Sequence, residues 1–235
     1  MSDLAQLLAL QEHDTAADQL RHRRTTLPER KALADLEAEI ARVGGLNGVA
    51  TARRDQLVAA QDALETEITA CRTKRASLEK KLAATSVPKD AQAMSTEIDS
   101  LRERQRGLED REIEIMEELE PVDAEIAGHE RVLSDLGEQA AGARDALTAA
   151  EAVIDAELAT VLAERQALTP SVSPPMLARY DRLRVKFGGV AVARLDKGRC
   201  TGCSLALSTL ELDRVRHEPP DAIVECEQCG RLLVR

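Results

Sequence analysis

Four of the five cysteines stand in two C-x2-C pairs near the C-terminus, Cys200 and Cys203 in "RCTGCSLALS", Cys226 and Cys229 in "VECEQCGRLL". A C-x2-C turn lets two thiolate sulfurs converge on one ion while nearby backbone N–H groups bond to them. Two such pairs with 22 residues between them read as the ligand set of one tetrahedral Zn2+ in a zinc ribbon. A disulfide pair and an iron–sulfur cluster are the competing readings. A reducing compartment argues against the first, and the ribbon-like spacing argues against the second. Thioredoxin-type redox chemistry would need a βαβ setting around the motif, and none is visible. Four thiolates fill the coordination shell of zinc and leave no position for water, so the ion is structural rather than catalytic. Gly202 and Gly230 read as the residues that give each knuckle its backbone freedom. His217, between the pairs, reads as a surface residue.

Short strands fit around the cysteines: "VAVARL" before the first pair, "DAIVE" before the second, "RLLVR" after it. Upstream, "PPMLARYDRLRVKFGG" begins with a proline pair that suits a helix start. Tyr180, Leu183 and Phe187 then share one helical face. They either pack the ribbon against the helices before it or offer a surface on which bases stack.

The residues before this region have the composition of long helices. Charged residues make up 31% of the chain, aromatic residues only 1%, and a chain rich in Ala, Leu, Glu and Arg without aromatics points to a coiled coil. From Met94 through Ile98, Leu101, Gln105, Leu108, Glu112 and Ile115 to Ile154, 18 positions recur at alternating steps of four and three, and 15 of them are apolar. That 3.5-residue period is the coiled-coil signature. Leu158, Val161, Arg165 and Leu168 continue it after a stutter. A poorer version runs through Leu33, Leu36, Ile40 and Val43, then from Ala50 and Arg54 to Cys71, Arg75, Leu78 and Leu82. His129 and Cys71 fall on seam positions and read as packing; the polar seam residues Arg75, Gln105 and Glu112 read as register-setting.

Between the two patterns Pro88 forbids a continuous helix and pushes Val87 out of helical geometry. The result predicts an antiparallel hairpin over residues 1–169 with its tip near 86–90, where Ser86 or Asp90 would cap a helix start. Arms of ~80 residues at ~1.5 Å per residue would reach on the order of 120 Å. Pro28 marks a further helix boundary, while Gly44, Gly45, Gly48 and Pro121 predict a bent or jointed hairpin. Residues 170–235 then form a short helix and the C4 ribbon. The fold class is mostly α: a long kinked antiparallel coiled-coil hairpin plus a small C-terminal β-rich zinc ribbon.

The net charge of −10 is uneven: after position 170 there are 11 Lys and Arg against 8 Asp and Glu, which leaves −13 for the remainder. Two basic clusters stand out. One lies at the expected tip, Arg72, Lys74, Arg75, Lys80, Lys81 and Lys89; the other lies at the ribbon base, Arg179, Arg182, Arg184, Lys186, Arg194, Lys197 and Arg199. Such clusters neutralise phosphates or simply solvate helix faces. The N-terminus "MSDLAQLLALQEHD" lacks a basic leader and no apolar run approaches the ~18–20 residues of a membrane span, which predicts a cytoplasmic protein without membrane partners.

Taken together, "GRCTGC", "VECEQCGRLL", "YDRLR…GGVAVARL" and "LEDREIEIMEELE" make the chain similar to a bacterial family of cytoplasmic coiled-coil proteins with a C-terminal C4-type zinc ribbon. The resemblance covers nearly the whole chain and implies a kinked helical hairpin carrying a ribbon with Cys200, Cys203, Cys226 and Cys229 as ligands. It links some members to RNA binding, or to contact with an alternative sigma factor and the flagellar or secretion machinery. Aromatic residues often follow such knuckles in that family, whereas this chain ends in "LLVR".

No P-loop, G-x-S-x-G or H-E-x-x-H motif is present, and a two-helix assembly has nowhere to exclude water from a reaction. The expectation is a non-enzymatic adaptor that binds one structural Zn2+ and engages a macromolecular partner, most simply a protein. The alternative is contact with an RNA or DNA backbone through the two basic clusters. No small-molecule substrate is indicated, and the oligomeric state is open.

Overall fold

The protein's computed structural model describes residues 3–219 and 222–235; Asp221, the first residue of the expected strand "DAIVE", lies outside them. The element order is α1 (Asp3–Thr25), α2 (Pro28–Ala84), α3 (Pro88–Leu168), a 3-10 turn (Thr169–Ser171), α4 (Pro174–Lys186), β1 (Val192–Asp196), β2 (Arg199–Cys200), α5 (Thr209–His217), β3 (Val224–Glu225) and β4 (Leu232–Val234). Proline opens α2, α3 and α4, where its missing N–H costs nothing and its fixed φ suits the first turn. The chain divides into two compact units, one of residues 1–31 with 144–235, the other of residues 32–143.

In the unit of residues 32–143 the heptad pattern decides what is buried. On α3 every expected seam position from Met94 to Ala143 is buried or half-buried. Ile68, Cys71 and Leu108 form a small core with Leu64 and Leu101 against it, so the lone thiol packs as a small apolar side chain. Ion pairs line both edges of this seam. Lys74–Glu97 (2.7 Å), Arg104–Glu67 (3.0 Å) and Arg53–Glu118 (3.4 Å) follow one edge, Arg102–Glu79 (3.4 Å) and Arg72–Glu109 (2.7 Å) the other. Exposed pairs of this kind contribute at most about 1 kcal/mol each; their regular heptad spacing fixes register more than it adds stability. Arg75 behaves as a register-setting seam residue, its Nη1 donating to Gln105 Oε1 at 2.7 Å.

One expectation for this unit needs correction. Arg54 is exposed rather than in the seam, its guanidinium turned outward to Asp123 at 2.7 Å; a long cationic side chain escapes burial by snorkelling. Asn47 instead fills the half-buried position between Val43 and Ala50. Its Oδ1 and the Nδ1 of His129 are both buried without a hydrogen-bond partner. The register that sets Ile68 beside Leu108 sets Asn47 beside His129 three heptads further from the turn. The glycine run flanks this polar step, yet α2 continues through it, as α3 continues through Pro121. At the turn, the Val87 N–H is bonded by Thr85 Oγ1 at 3.4 Å.

In the other unit, α1 buries Leu4, Leu7, Leu10, Gln11, Asp14 and Ala17 along one face. Its partners are the ribbon sheet, α4 and the last turns of α3. The sheet runs β2-β1-β4-β3, with β1 and β4 parallel and the other neighbours antiparallel. Alternation along the strands splits its residues between two cores. Val192 and Leu232 join Leu4, Leu7, Leu10, Met176 and Tyr180; Ala193 and Leu233 face the opposite side, with Leu207, Val215 and the cysteines.

Two buried polar side chains lock α1 in place. Gln11 Oε1 accepts the Ala191 and Val192 N–H groups at 2.7 Å each, and its Nε2 donates to the Val192 carbonyl at 2.7 Å. Asp14, only 3% exposed, accepts from Tyr180 Oη (2.7 Å) and Arg165 Nε (2.7 Å), with Arg184 Nη1 at 3.5 Å. Burial, and then this bond to Asp14, push the Tyr180 hydroxyl well above its ordinary pKa. Away from the sheet, Arg24 bonds Asp155 at 2.8 Å and Arg30 pairs with Glu151, tying the α1–α2 corner to α3.

A Cβ at Gly44, Gly45 or Gly48 would meet nothing within 4 Å, and glycine in a helix interior costs about 1 kcal/mol relative to alanine. The triple replacement of Gly44, Gly45 and Gly48 by Ala should therefore stabilise the hairpin by roughly 2–3 kcal/mol, read as a higher thermal midpoint by circular dichroism. An unchanged or lower midpoint would show that these glycines serve packing rather than weaken the arm.

Candidate metal centre

Each cysteine pair sits in a turn of the same construction. The Cys200 N–H donates to Leu205 O (3.0 Å) and the Ser204 N–H to Cys200 O (2.7 Å); the Cys226 N–H donates to Arg231 O (2.9 Å) and the Gly230 N–H to Cys226 O (2.7 Å). Backbone N–H groups of Gly202 and Cys203 point at the Cys200 sulfur, those of Gln228 and Cys229 at the Cys226 sulfur. These are the bonds a thiolate needs when it gives up its proton to a metal.

The turns bring the four sulfurs together. All four Sγ atoms lie within 4.8 Å of one another, with Cys200–Cys229 and Cys203–Cys226 both at 3.9 Å. A tetrahedron with Zn–S bonds of ~2.3 Å has edges of ~3.8 Å, so the donor set fits zinc. A disulfide at ~2.05 Å is ruled out by the same distances, and all five cysteines are free thiols. Cys200 and Cys226 are buried in the ribbon core, Cys203 and Cys229 half-buried at its edge. Burial pushes the Cys226 thiol up to about 12. Partial burial raises the Cys229 thiol as well, but bonds from Arg231 and from the Cys226 and Cys203 thiols hold it down to about 7. A bound Zn2+ would make all four thiolates outright.

Gly202 and Gly230 do not play the same part. Gly230 has φ +72° and supplies the left-handed residue of its turn; the equivalent place in the first turn is taken by Ser204, with φ +63°. Gly202 is required for room, because a Cβ there would stand 2.6 Å from Arg231 Cδ and 3.0 Å from Ala193 Cβ. Sequence reading missed Ser204, since nothing in its type announces a left-handed conformation. It also missed α5 between the knuckles, although "SLAL-STLE" contained the signal: Ser208 Oγ accepts from the Glu211 N–H (3.2 Å) while Glu211 Oε2 accepts from the Ser208 N–H (2.7 Å), a capping box. His217 ends α5 with its side chain 77% exposed and its Nδ1 on Asp213 O at 2.8 Å, remote in role from the metal.

The aromatic residues near the ribbon are used for packing. Tyr180 is wholly buried. Phe187 is half-buried, with the Arg231 guanidinium 4.8 Å and Lys186 Nζ 5.1 Å from its ring centroid. Tyr180 therefore has no free face on which a base could stack, and the Phe187 ring already holds two cations.

The basic residues of the ribbon base are dispersed in their contacts. Arg179 pairs with Glu225 (2.6 Å), Arg184 with Asp18 (2.5 Å) and Asp14, and Arg194 with Glu12 (3.4 Å), while Arg199 Nη1 donates to Ser204 O (3.2 Å). Arg182 and Lys197 have no carboxylate partner among the described residues. Near the turn, Arg72, Lys74 and Arg75 are paired with Glu109, Glu97 and Glu79. Lys80, Lys81 and Lys89 are exposed and have none among the described residues.

Among the described residues the four cysteines are the one cluster of His, Cys, Asp or Glu side chains with metal-holding geometry, and no helix is long and apolar enough to cross a membrane. A family model described as a CT398-like coiled coil hairpin domain matches residues 10–188, and a C4-type zinc ribbon domain matches residues 199–233. An uncharacterised protein of Mycobacterium tuberculosis is 32% identical over 97% of this chain and 94% of its own length. A solved structure from Mycobacterium smegmatis superposes with a TM-score of 0.88 at 26% identity, covering 100% of both chains. The structure of CT398 from Chlamydia trachomatis gives 0.78 at 21% identity over 98% of this chain and 96% of that one.

The knuckle geometry makes a paired expectation. Gly230→Ala should lose about 1–2 kcal/mol to left-handed strain, while Ser204→Gly should lose nothing or gain. Zinc release to a chromophoric chelator measures both: faster for Gly230→Ala, unchanged or slower for Ser204→Gly, and one ion per chain whether or not Cys71 is replaced by Ser. Equal release rates in the two variants would contradict this account of the turns.

Proposed function

We propose that this chain, which belongs to the family of CT398-like coiled-coil hairpin proteins with a C4-type zinc ribbon, is a non-enzymatic cytoplasmic adaptor that engages a protein partner through its zinc-held head. The observation that carries this reading is a saturated metal centre beside a helix that holds one leucine out to solvent. Four thiolates leave the ion no position for a substrate. On α5, between the two knuckles, Leu210 is 81% exposed. It borders a shallow groove with Asp213, Arg214 and Glu227. An apolar side chain held out on a helix braced by a metal is an anchor of the kind that protein interfaces bury.

Nucleic-acid contact is the second reading, favoured by Lys80, Lys81 and Lys89 at the turn between α2 and α3. Three unpaired lysines supply phosphate contacts whose strength falls steeply with salt. It is the weaker of the two because most cations of the ribbon base already have protein partners and Tyr180 is wholly buried.

A photo-crosslinking residue in place of Leu210, carried by the full chain in living cells, separates the readings. The adaptor reading expects a discrete protein adduct that disappears when Cys200→Ser removes a zinc ligand. Adducts that nuclease destroys, together with RNA binding by the purified chain that Lys80→Glu, Lys81→Glu and Lys89→Glu abolish, would overturn it in favour of nucleic acid.

A further inference from the structure

The edge of the α2–α3 seam that carries Arg102–Glu79 and Arg72–Glu109 advances by one heptad per ion pair. One heptad further from the turn the same rung falls on Met116 and Glu65. No ion pair forms there. Met116 is 53% exposed, and Ile113, three residues before it on the same stripe of α3, is 54% exposed. Large apolar side chains at such positions normally give way to charge in a two-helix assembly, where the seam is the only dry surface.

Apart from Arg106 on the side toward the turn, the unpaired charges around this pair are negative. Asp110, Glu117 and Glu120 surround it on α3 and Glu65 borders it on α2, all exposed. None has an ion-pair partner among the described residues, in contrast to the paired carboxylates of the neighbouring rungs. Arg106 closes the patch toward the turn. The arginine nearest in sequence, Arg111, belongs to the opposite edge, on the rung between Arg104–Glu67 and Arg53–Glu118. Unpaired carboxylates ringing two exposed apolar side chains are complementary to a helix with apolar residues at i and i+3 or i+4 and Lys or Arg on its flanks.

We propose that this face of the hairpin, centred on Ile113 and Met116, docks a basic amphipathic helix of a partner protein as a third helix against α2 and α3. The proposal rests on the adaptor reading and adds to it a second surface, in a different compact unit from the zinc-held head. The occupant is a protein helix and not a nucleic acid, because the carboxylates repel phosphate. It is assigned to another protein, since the basic residues of this chain's own turn present Lys80, Lys81 and Lys89 around a single exposed apolar residue, Val87, and not a two-residue apolar stripe.

The test uses the full zinc-loaded chain and two labelled peptides of identical composition. One places Leu at i, i+3, i+4 and i+7 and Lys elsewhere; the other scatters the same leucines. Fluorescence anisotropy at physiological salt should show at least tenfold tighter binding of the ordered peptide. Ile113→Ser with Met116→Ser should remove that preference while leaving the weak binding of the scattered peptide unchanged. Glu117→Gln with Glu120→Gln should weaken the ordered peptide severalfold. Helix content, which these exposed substitutions should not alter, is followed in parallel.

Equal affinity for the two peptides, or an unaltered preference in the Ile113/Met116 variant, would overturn the proposal. So would light scattering that shows a dimer of the wild type and a monomer of the Ile113/Met116 variant, because a second copy would then be the occupant. Crosslinking from position 210 reports on the head alone, so loss of the peptide site with that crosslink intact refutes this surface and leaves the adaptor reading standing.

Discussion

The ribbon depends on four sulfurs being held at tetrahedral distances. Its strands are two to five residues long, too short to hold a sheet by themselves, and its two knuckles are joined by 22 residues that contribute one short helix and the two-residue strand β3. With sulfur separations of 3.9 Å already matched to a Zn2+ tetrahedron, metal binding and folding of this region are the same free-energy change. Everything that packs on the sheet inherits this constraint. Val192 and Leu232 can face α1 only because Ala193 and Leu233 face the cysteine core, and the strand period makes each side a condition of the other.

The N-terminal helix is the less obvious beneficiary. Gln11 meets the backbone of Ala191 and Val192 much as a neighbouring strand would, and Asp14 gathers the Tyr180 hydroxyl and two guanidinium groups in a site it could not occupy unpaired. Both are specific rather than merely stabilising: a one-residue slip of α1 would orphan a buried carboxylate and the two backbone amides at the start of β1. The hairpin seam of residues 32–143 works by other means, with many small apolar contacts and exposed ion pairs that set register. Its polar step at Asn47 and His129 and the glycines at 44, 45 and 48 mark where those contacts are thinnest.

How much of this was legible in the sequence follows from the range of each interaction. The metal ligands and the α3 seam were readable because both are periodic signals local to the chain: C-x2-C spacing, and a 3.5-residue repeat whose positions from Met94 to Ile154 all turn out buried or half-buried. The proline boundaries were readable for the same local reason. Arg54 misled because a heptad count cannot tell a long side chain that stays in the seam from one that snorkels out of it. Ser204 was hidden since its left-handed φ is imposed by the turn and not by its type. The union of α1 with the ribbon was beyond reach: Gln11 and Asp14 lie about 180 and 165 residues from their partners, and no local pattern links a polar residue on one helix to a strand amide that far away.

The central claim is that α1 and the metal-held ribbon fold as one unit, and that the seam of residues 32–143 does not need the metal. Hydrogen–deuterium exchange of the full chain, with zinc and after its chelation, tests this directly. The account predicts that chelation removes protection from the amides of β1 and β4 and, together with them, from Leu4 to Ala17, while those around Ile68, Cys71 and Leu108 stay protected. Continued protection of α1 after the strands have opened would contradict it, and would mean that α1 is held by the α2–α3 helices without any help from the metal.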